Sequence, residues 1–281
     1  YPVLPITRHT ILWSHPTMRT LLVDNSNTRT KFALASQDAL LEWRSIIPTP
    51  GIAPESLQKA LKDIDWDNSI ISSVVPDKAA ILACHLGEKP CHQLSYRSRL
   101  PIGISYPQPE QIGADRLANA VAAHVLYGSP CIVLDFGTAV TFDVIAPATH
   151  PADDREGVQA PAGDRQGVQA SYQGGVIAPG LASMTEGLAR RTALLPHIEL
   201  EEPRHAIGKS TEEAMLAGAV YGYRGLVREI LHNLRKELPT DPDLVATGGD
   251  APLITRGLPE IQHLAPHLTL DGLRIIAKHN F

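Results

Sequence analysis

In VLDFGTAVTFDVI, Val133 to Ile145, an apolar run ends on an acid, passes through a glycine, and returns as a second apolar run with another acid. Val133 and Leu134 place Asp135 at a strand tip, and Gly137 lets the chain turn without a Cβ penalty. The β-branched and aromatic residues from Val140 onward favour a returning strand. A tight turn of backbone amides beside a carboxylate suits a phosphate group and its cation. Many hairpins contain Gly and Thr, so this reading depends on the rest of the chain.

The same plan occurs near the start. Thr20 to Asp24 (TLLVD) is an apolar strand ending in an acid, followed by NSNTRTKFALA. Superposing Asp24 on Asp135 aligns VDNSNTRTKF with LDFGTAVTFD without a gap, which suggests two halves built on one plan.

The intervening sequence alternates. Ser36 to Arg44 reads as a short helix or a strand edge, Pro48 to Gly51 as a loop, and Pro54 to Lys62 as a helix. Ser69 to Val75 is a buried strand stopped by Pro76, and Asp77 to His85 is helical again. Such alternation argues α/β layers. Pro107 and Pro109 then force an extended approach to a helix with Leu117, Ala120, Val121 and Ala123 on its apolar side, ending at Gly128. Asp115 falls in or just before its first turn, where plain capping and a functional role are both open.

Beyond the opening stretch, Pro147 to Ser171 contains a near-repeat, DREGVQA (Asp154 to Ala160) against DRQGVQA (Asp164 to Ala170), and reads as a mobile hairpin tip without chemistry. SYQGGVIAPG (Ser171 to Gly180) is a short strand, and Leu181 to Leu195 is helical. Gly208 to Glu237 holds a long helix opened by a capping box, Ser210 as cap and Glu213 reaching back. Gly218, Gly222 and Gly225 lie inside it. Each costs about 1 kcal/mol relative to Ala, which suggests close approach, either in the core or at a subunit interface. Leu244 to Asp250 is a strand running into Thr247-Gly248-Gly249, with a short helix from Pro252; the tail is a short strand and a closing helix.

Composition narrows the function classes. With 281 residues, 43% hydrophobic and 20% charged, the chain can bury one large core or two smaller ones. A net charge of −5 gives no sign of nucleic-acid binding. No run of about 18 apolar residues is present to span a membrane. Residues 1–17 read as an extension outside the fold, with Arg8, His9 and His15 arguing against a secretory signal. Three cysteines fit a reducing cytoplasm. The dipeptides Cys84-His85 and Cys91-His92 lack the paired spacing of zinc ligands and read as ordinary helix-end and strand-start residues.

Acid- or glycine-bearing turns thus stand around Asp24, Asp135, Gly174-Gly175 and Gly248-Gly249. Two duplicated acidic hairpins with a late strand-Gly-Gly-helix turn form a plan for holding a nucleotide between two halves. The runs DNSNTRTKFAL (Asp24 to Leu34), IGADR (Ile112 to Arg116), DFGTAVTFD (Asp135 to Asp143), YQGGVIAPG (Tyr172 to Gly180), STEEA (Ser210 to Ala214) and TGGD (Thr247 to Asp250) occur in this order. On these runs the sequence, from Met18 to the C terminus, resembles the type III pantothenate kinase family of the acetate and sugar kinase/Hsp70/actin superfamily.

The resemblance implies an α/β, duplicated ribonuclease H-like (actin-like ATPase) fold, with two related halves and the nucleotide cleft between them. The halves would be residues 18–129 and 130–281, with 1–17 as extension and 147–171 as hairpin insertion. It implies ATP-dependent phosphorylation of pantothenate to 4′-phosphopantothenate, the first step of coenzyme A biosynthesis. Asp115 would be the general base, and Tyr106, Gly113, Ala114, Arg116 and Thr211 would bind pantothenate. Asp24, Asn25, Ser26, Asn27, Thr28, Arg29 and Lys31 would form the first ATP loop, Gly137 and Thr138 the second, and Gly248 and Gly249 the adenosine contact. Asp135 would hold a monovalent cation, K+ or NH4+, and Asp24 a divalent one, Mg2+, through ATP. A cytoplasmic homodimer whose pocket draws on both subunits is implied as well. Two alternatives are a non-catalytic regulator on the same scaffold and a kinase of another small hydroxy-compound.

Two physical expectations accompany these roles. A carboxylate at a helix start has its pKa lowered by the helix dipole, so Asp115 would be a weak base. Ser26 stands where the family usually has Gly, so it either strains the loop or adds a phosphate contact.

Overall fold

The structure, a computed structural model, describes residues 18–148 and 169–281. The 1–17 extension and residues 149–168 of the insertion lie outside the described residues; the end of the near-repeat, Ala170, opens a strand and pairs with Pro147. The first half contains β1 (Thr20–Asn25), β2 (Arg29–Ala35), β3 (Leu40–Pro48), α1 (Pro54–Leu61), β4 (Asn68–Ser73), α2 (Pro76–Leu86) and β5 (Cys91–Gln93). Then come β6 (Gly103–Ile104) and α3 (Ala114–Tyr127). The rest comprises β7 (Cys131–Phe136), β8 (Ala139–Pro147), β9 (Ala170–Pro179), α4 (Leu181–Arg191), α5 (Thr211–Lys236), β10 (Asp243–Thr247), α6 (Ala251–Thr255), β11 (His263–Leu264) and α7 (Leu268–Asn280).

Two boundaries differ from the sequence reading. The segment left open between helix and strand edge is an edge strand, β3, whose alternating exposure matches a one-sided sheet face. The helix expected to reach Leu195 ends at Arg191, and residues 192–210 are irregular.

The two sheets share one plan. The first runs β3-β2-β1-β4-β5; the second runs β11-β10-β7-β8-β9-β6, which contains the same order read from β9 to β11. In each, a three-stranded antiparallel meander is extended by parallel strands beside its first strand. The internal alignment is not gapless, however. Asp24 pairs with Lys31, seven residues on, while Asp135 pairs with Thr141, six on. The first hairpin thus has one more residue in its turn, and Phe32 (opposite Val23) corresponds to Phe142 (opposite Leu134).

Strand alternation divides the core. Leu21 and Val23 face α1 and α2, while Leu22 faces inward to α3 and α7. Likewise Ile132 and Leu134 join α5 and α6, and Val133 turns to α3 and α7. The two helices α3 and α7 therefore fill the space between the sheets, and α3 is buried from Leu117 through Ala123. Small side chains suit a helix enclosed on all sides, and Ala is the best helix former. The Asp and Arg of α3, Asp115 and Arg116, occupy its N-terminal turn.

Candidate active site

Both hairpin tips and the start of α3 converge. The first turn is closed by the Ser26 amide donating to Arg29 O at 3.2 Å. Thr28 Oγ1 and Thr138 Oγ1 lie 3.2 Å apart, so the two loops meet across 110 residues of sequence. Asp24 is 2% exposed at the end of β1. Ser26 Oγ donates to its Oδ1 at 3.1 Å, and Lys31 Nζ to its Oδ2 at 3.2 Å. The Ser26 hydroxyl is therefore engaged with Asp24, which decides where that side chain is spent. Asn25 is buried and used internally: its Nδ2 donates to Thr30 Oγ1 and its Oδ1 accepts from Ser73 Oγ. Asn27, Thr28 and Arg29 are exposed at the tip.

Gly137 needs no special backbone here, and a Cβ on it would make ordinary contact with Ala139 O at 3.5 Å. Gly248 is the demanding position. Its φ is +94°, and a Cβ would sit 2.4 Å from Phe136 O, against the tip of β7. Gly248→Ala is accordingly expected to cost at least about 2 kcal/mol and to weaken ATP binding, checked by denaturant unfolding and calorimetry. Gly249→Ala, whose Cβ meets nothing within 4 Å, should leave stability unchanged.

Asp115 is the second residue of α3, and its Oδ1 accepts from the Arg116 amide at 2.8 Å. The helix cap is Gly113, whose missing side chain matters because a Cβ would stand 2.6 Å from Asp115 Oδ1. Burial, then the charge of Asp24, push the Asp115 carboxyl up to about 6. Asp135 is also pushed up to about 6 by burial and the charge of Asp115. This overturns the expectation of a dipole-lowered acid: desolvation among like charges outweighs the helix end. Ala114 is buried at the first position of α3.

Arg116 is fixed from below. Its Nε donates to Asp143 Oδ1 at 2.7 Å, and its guanidinium lies over the Tyr172 ring, 5.7 Å from the centroid. Tyr172 Oη donates to Asp143 Oδ1 (2.9 Å) and Thr141 Oγ1 to Asp143 Oδ2 (3.0 Å), leaving Asp143 0% exposed. Tyr106 stacks edge-on to Tyr172, with ring centroids 6.1 Å apart. Tyr106, Gly113, Ala114, Asp115 and Arg116 therefore form one cluster. Thr211 lies apart, exposed at the first position of α5. Its cap Ser210 accepts from the Glu213 amide, while the Glu213 carboxylate takes the Lys209 amide instead of the cap's own, shifting the expected box by one residue.

Asp143, Tyr172, Asn119 and Thr269 belong to this site and carried no role in the sequence reading. Asp143 had a signal: an acid inside the apolar run VTFDVI must be paired if buried. Asn119 stands four residues after Asp115, inside the apolar stretch Leu117 to Ala123, and Thr269 had no local signal at all. The two Cys-His dipeptides lie on α2 and β5, where His92 Nε2 shares a hydrogen bond with Ser98 Oγ at 2.8 Å.

Two α/β sheets of one plan, each with an acidic hairpin and with the hairpin tips meeting, define an actin-like ATPase fold. Within it, residues 20–150 and 166–233 match the model of the type III pantothenate kinase family, and the chain belongs to that family. It is 54% identical over 263 residues to a type III pantothenate kinase of Akkermansia muciniphila, covering 94% of this chain and 100% of that one. A type III pantothenate kinase of Methylacidiphilum infernorum is 39% identical, covering 92% of this chain and 88% of that one. Among solved structures, a protein described as a Baf family transcriptional activator from Campylobacter jejuni superposes with a TM-score of 0.53 at 18% identity, covering 92% of this chain and 98% of that one. A protein assigned as an N-acetylmannosamine kinase from Listeria monocytogenes gives 0.51 at 12% identity, covering 93% and 98%. At these identities the two structures speak for the fold alone.

Proposed function

We propose that the chain transfers the γ-phosphoryl group of ATP to the hydroxyl of pantothenate, giving 4′-phosphopantothenate. The observation that carries this is Asp115 beside Arg116 at the start of α3, facing two acidic hairpin tips. Phosphoryl transfer needs little covalent help from the protein; it needs the partners aligned and the charge around the transferring group offset. Asp115, held near 6, is mostly ionised at neutral pH and is a stronger base than an ordinary carboxylate. Arg116 is gripped through Nε, which leaves its terminal amino groups to fork onto a substrate carboxylate or amide oxygen. Tyr106 walls the same pocket.

Among the described residues no group of three or more His, Cys, Asp or Glu stands close enough to hold a metal ion. Two carboxylates at the loop tips, with Lys31 as the cation on one of them, suit ions completed by phosphate oxygens and water. We assign Mg2+ with ATP to the side of Asp24, and K+ or NH4+ to Asp135. Bound there, the ions would offset the charge of the phosphates.

The division near residue 129 into two halves is part of this proposal, and so is a homodimer. The α5 glycines 218, 222 and 225 are exposed and a Cβ on each meets nothing within 4 Å, so packing inside one chain does not account for them. Met184 and Leu188 of the neighbouring α4 are 43% and 48% exposed. We assign the exposed Thr211, which stands apart from the cluster of its own chain, to the pocket of a second copy. Three free thiols fit the cytoplasm, and among the described residues no helix is long and apolar enough to cross a membrane.

The test is ADP release across a panel of small hydroxy-acids, with Mg2+ and with or without K+. Turnover with pantothenate that rises with K+ is expected. Turnover only with another acid, or none with the panel, would overturn the assignment.

A further inference from the structure

Asn119 stands one helical turn beyond Asp115 and is 0% exposed. Both ends of its amide are spent at the boundary of the two sheets. Nδ2 donates to Asp135 Oδ2 at 2.9 Å, and Oδ1 accepts from Thr269 Oγ1 of α7 at 2.8 Å. The other oxygen of Asp135, Oδ1, points to the loop: it lies 3.9 Å from the place where a Cβ on Gly137 would be. One carboxylate oxygen is thus tied to the core and its twin is turned to the second hairpin turn.

The amide orientation has a chemical consequence. With Thr269 donating to Asn119 Oδ1, only the NH2 group faces Asp135, and an NH2 group is satisfied by an ionised oxygen. Two neutral side chains therefore hold Oδ2 to the core and leave Oδ1 turned to the loop. The groups facing Asp135 are Asp115 and Asn119 on α3, Asp24 and Lys31 on the first hairpin, and the neutral Thr141 and Thr247 beside it on β8 and β10.

We propose that Asn119 is a positioning residue for phosphoryl transfer, fixing Asp135 Oδ2 so that Oδ1 is the atom offered to cation and phosphate, with Thr269 setting the amide's direction. This rests on the kinase reading above. It touches no substrate; it acts through Asp135.

The experiment compares wild type, Thr269→Val, Thr269→Ser and Asn119→Ala in two readouts, one of which needs no turnover. In calorimetric titration with ATP and Mg2+, the gain in affinity that K+ brings should fall several-fold in Asn119→Ala and about half as far in Thr269→Val, because Asp135 Oδ2 is no longer held to the core and Oδ1 no longer fixed towards the loop. In kinetics, the same variants should raise the K+ needed for half-maximal turnover several-fold, with KM for pantothenate unchanged. Thr269→Ser, which keeps the hydroxyl, should behave as wild type. A K+-dependent gain in ATP affinity that stays put in both Asn119→Ala and Thr269→Val overturns the proposal, whatever happens to stability. Should Asn119→Ala fail to fold, the nearly isosteric Thr269→Val decides alone. A wild type inactive with pantothenate counts against the kinase reading instead, and the calorimetry still decides the role of Asn119.

Discussion

Asp115→Asn is expected to cut kcat by roughly 10²- to 10⁴-fold, the usual contribution of a general base, and to make the protein more stable at neutral pH. The two effects share a cause. Asp115 is held at about 6 against 3.8 in its ordinary state, because burial and the Asp24 charge disfavour the carboxylate. Keeping it ionised in the fold therefore costs stability at pH 7, where the unfolded chain ionises it freely. As pH falls from about 6 towards 4, the native state takes up a proton that the unfolded state does not, and the cost disappears. Asparagine removes the cost at all pH values, so the variant should gain up to about 3 kcal/mol at pH 7.5 and little at pH 4. Denaturant midpoints at the two pH values, beside ADP release, measure both halves. A fully active Asn variant would falsify the role of Asp115. The same titration implies that wild-type turnover falls as pH drops through about 6, where Asp115 and Asp135 both take up protons.

The second large effect is at Asp143. Asp143→Ala leaves the Arg116 guanidinium without its buried counter-charge and strands the hydroxyls of Tyr172 and Thr141, and should cost about 3–5 kcal/mol of stability. Asp143→Asn is the informative variant. Its amide oxygen can still accept from Arg116 Nε and Tyr172 Oη, and its NH2 can donate to Thr141, so the geometry is kept and the charge lost. Arg116 should then be held less firmly, raising KM for pantothenate about 10- to 100-fold, on the scale of a charged hydrogen bond, with a smaller change in kcat. Asp143 also helps to raise Asp115, so the acid limb of the Asn variant should move to lower pH. An unchanged KM together with a lost kcat would place Asp143 on the wrong side of the mechanism.

The duplication, both acidic hairpins and the helix carrying Asp115 and Arg116 were legible in the sequence, for local reasons. Apolar alternation, a turn residue at the right offset, and a glycine or proline at an end act over a few neighbours. The same locality explains the misses. The extra residue in the first hairpin turn is invisible until Asp24 is seen opposite Lys31 and Asp135 opposite Thr141. Gly137 carried the expected turn in the sequence, while the strict backbone requirement fell on Gly248, because only packing brings it against Phe136.

VLDFGTAVTFDVI by itself determined a strand, an acid at its tip, a turn and a returning strand, and with its partner at Asp24 it determined a two-halved fold. Tertiary structure alone decided what the acids are. Asp143 became the support of Arg116, Asn119 met Thr269 across 150 residues, and Asp115 rose to about 6 where its helix position alone predicted a fall. Burial and charge at a point are sums over every element that reaches it, and β1, β2, α3, β7, β8, β9 and α7 all reach this one.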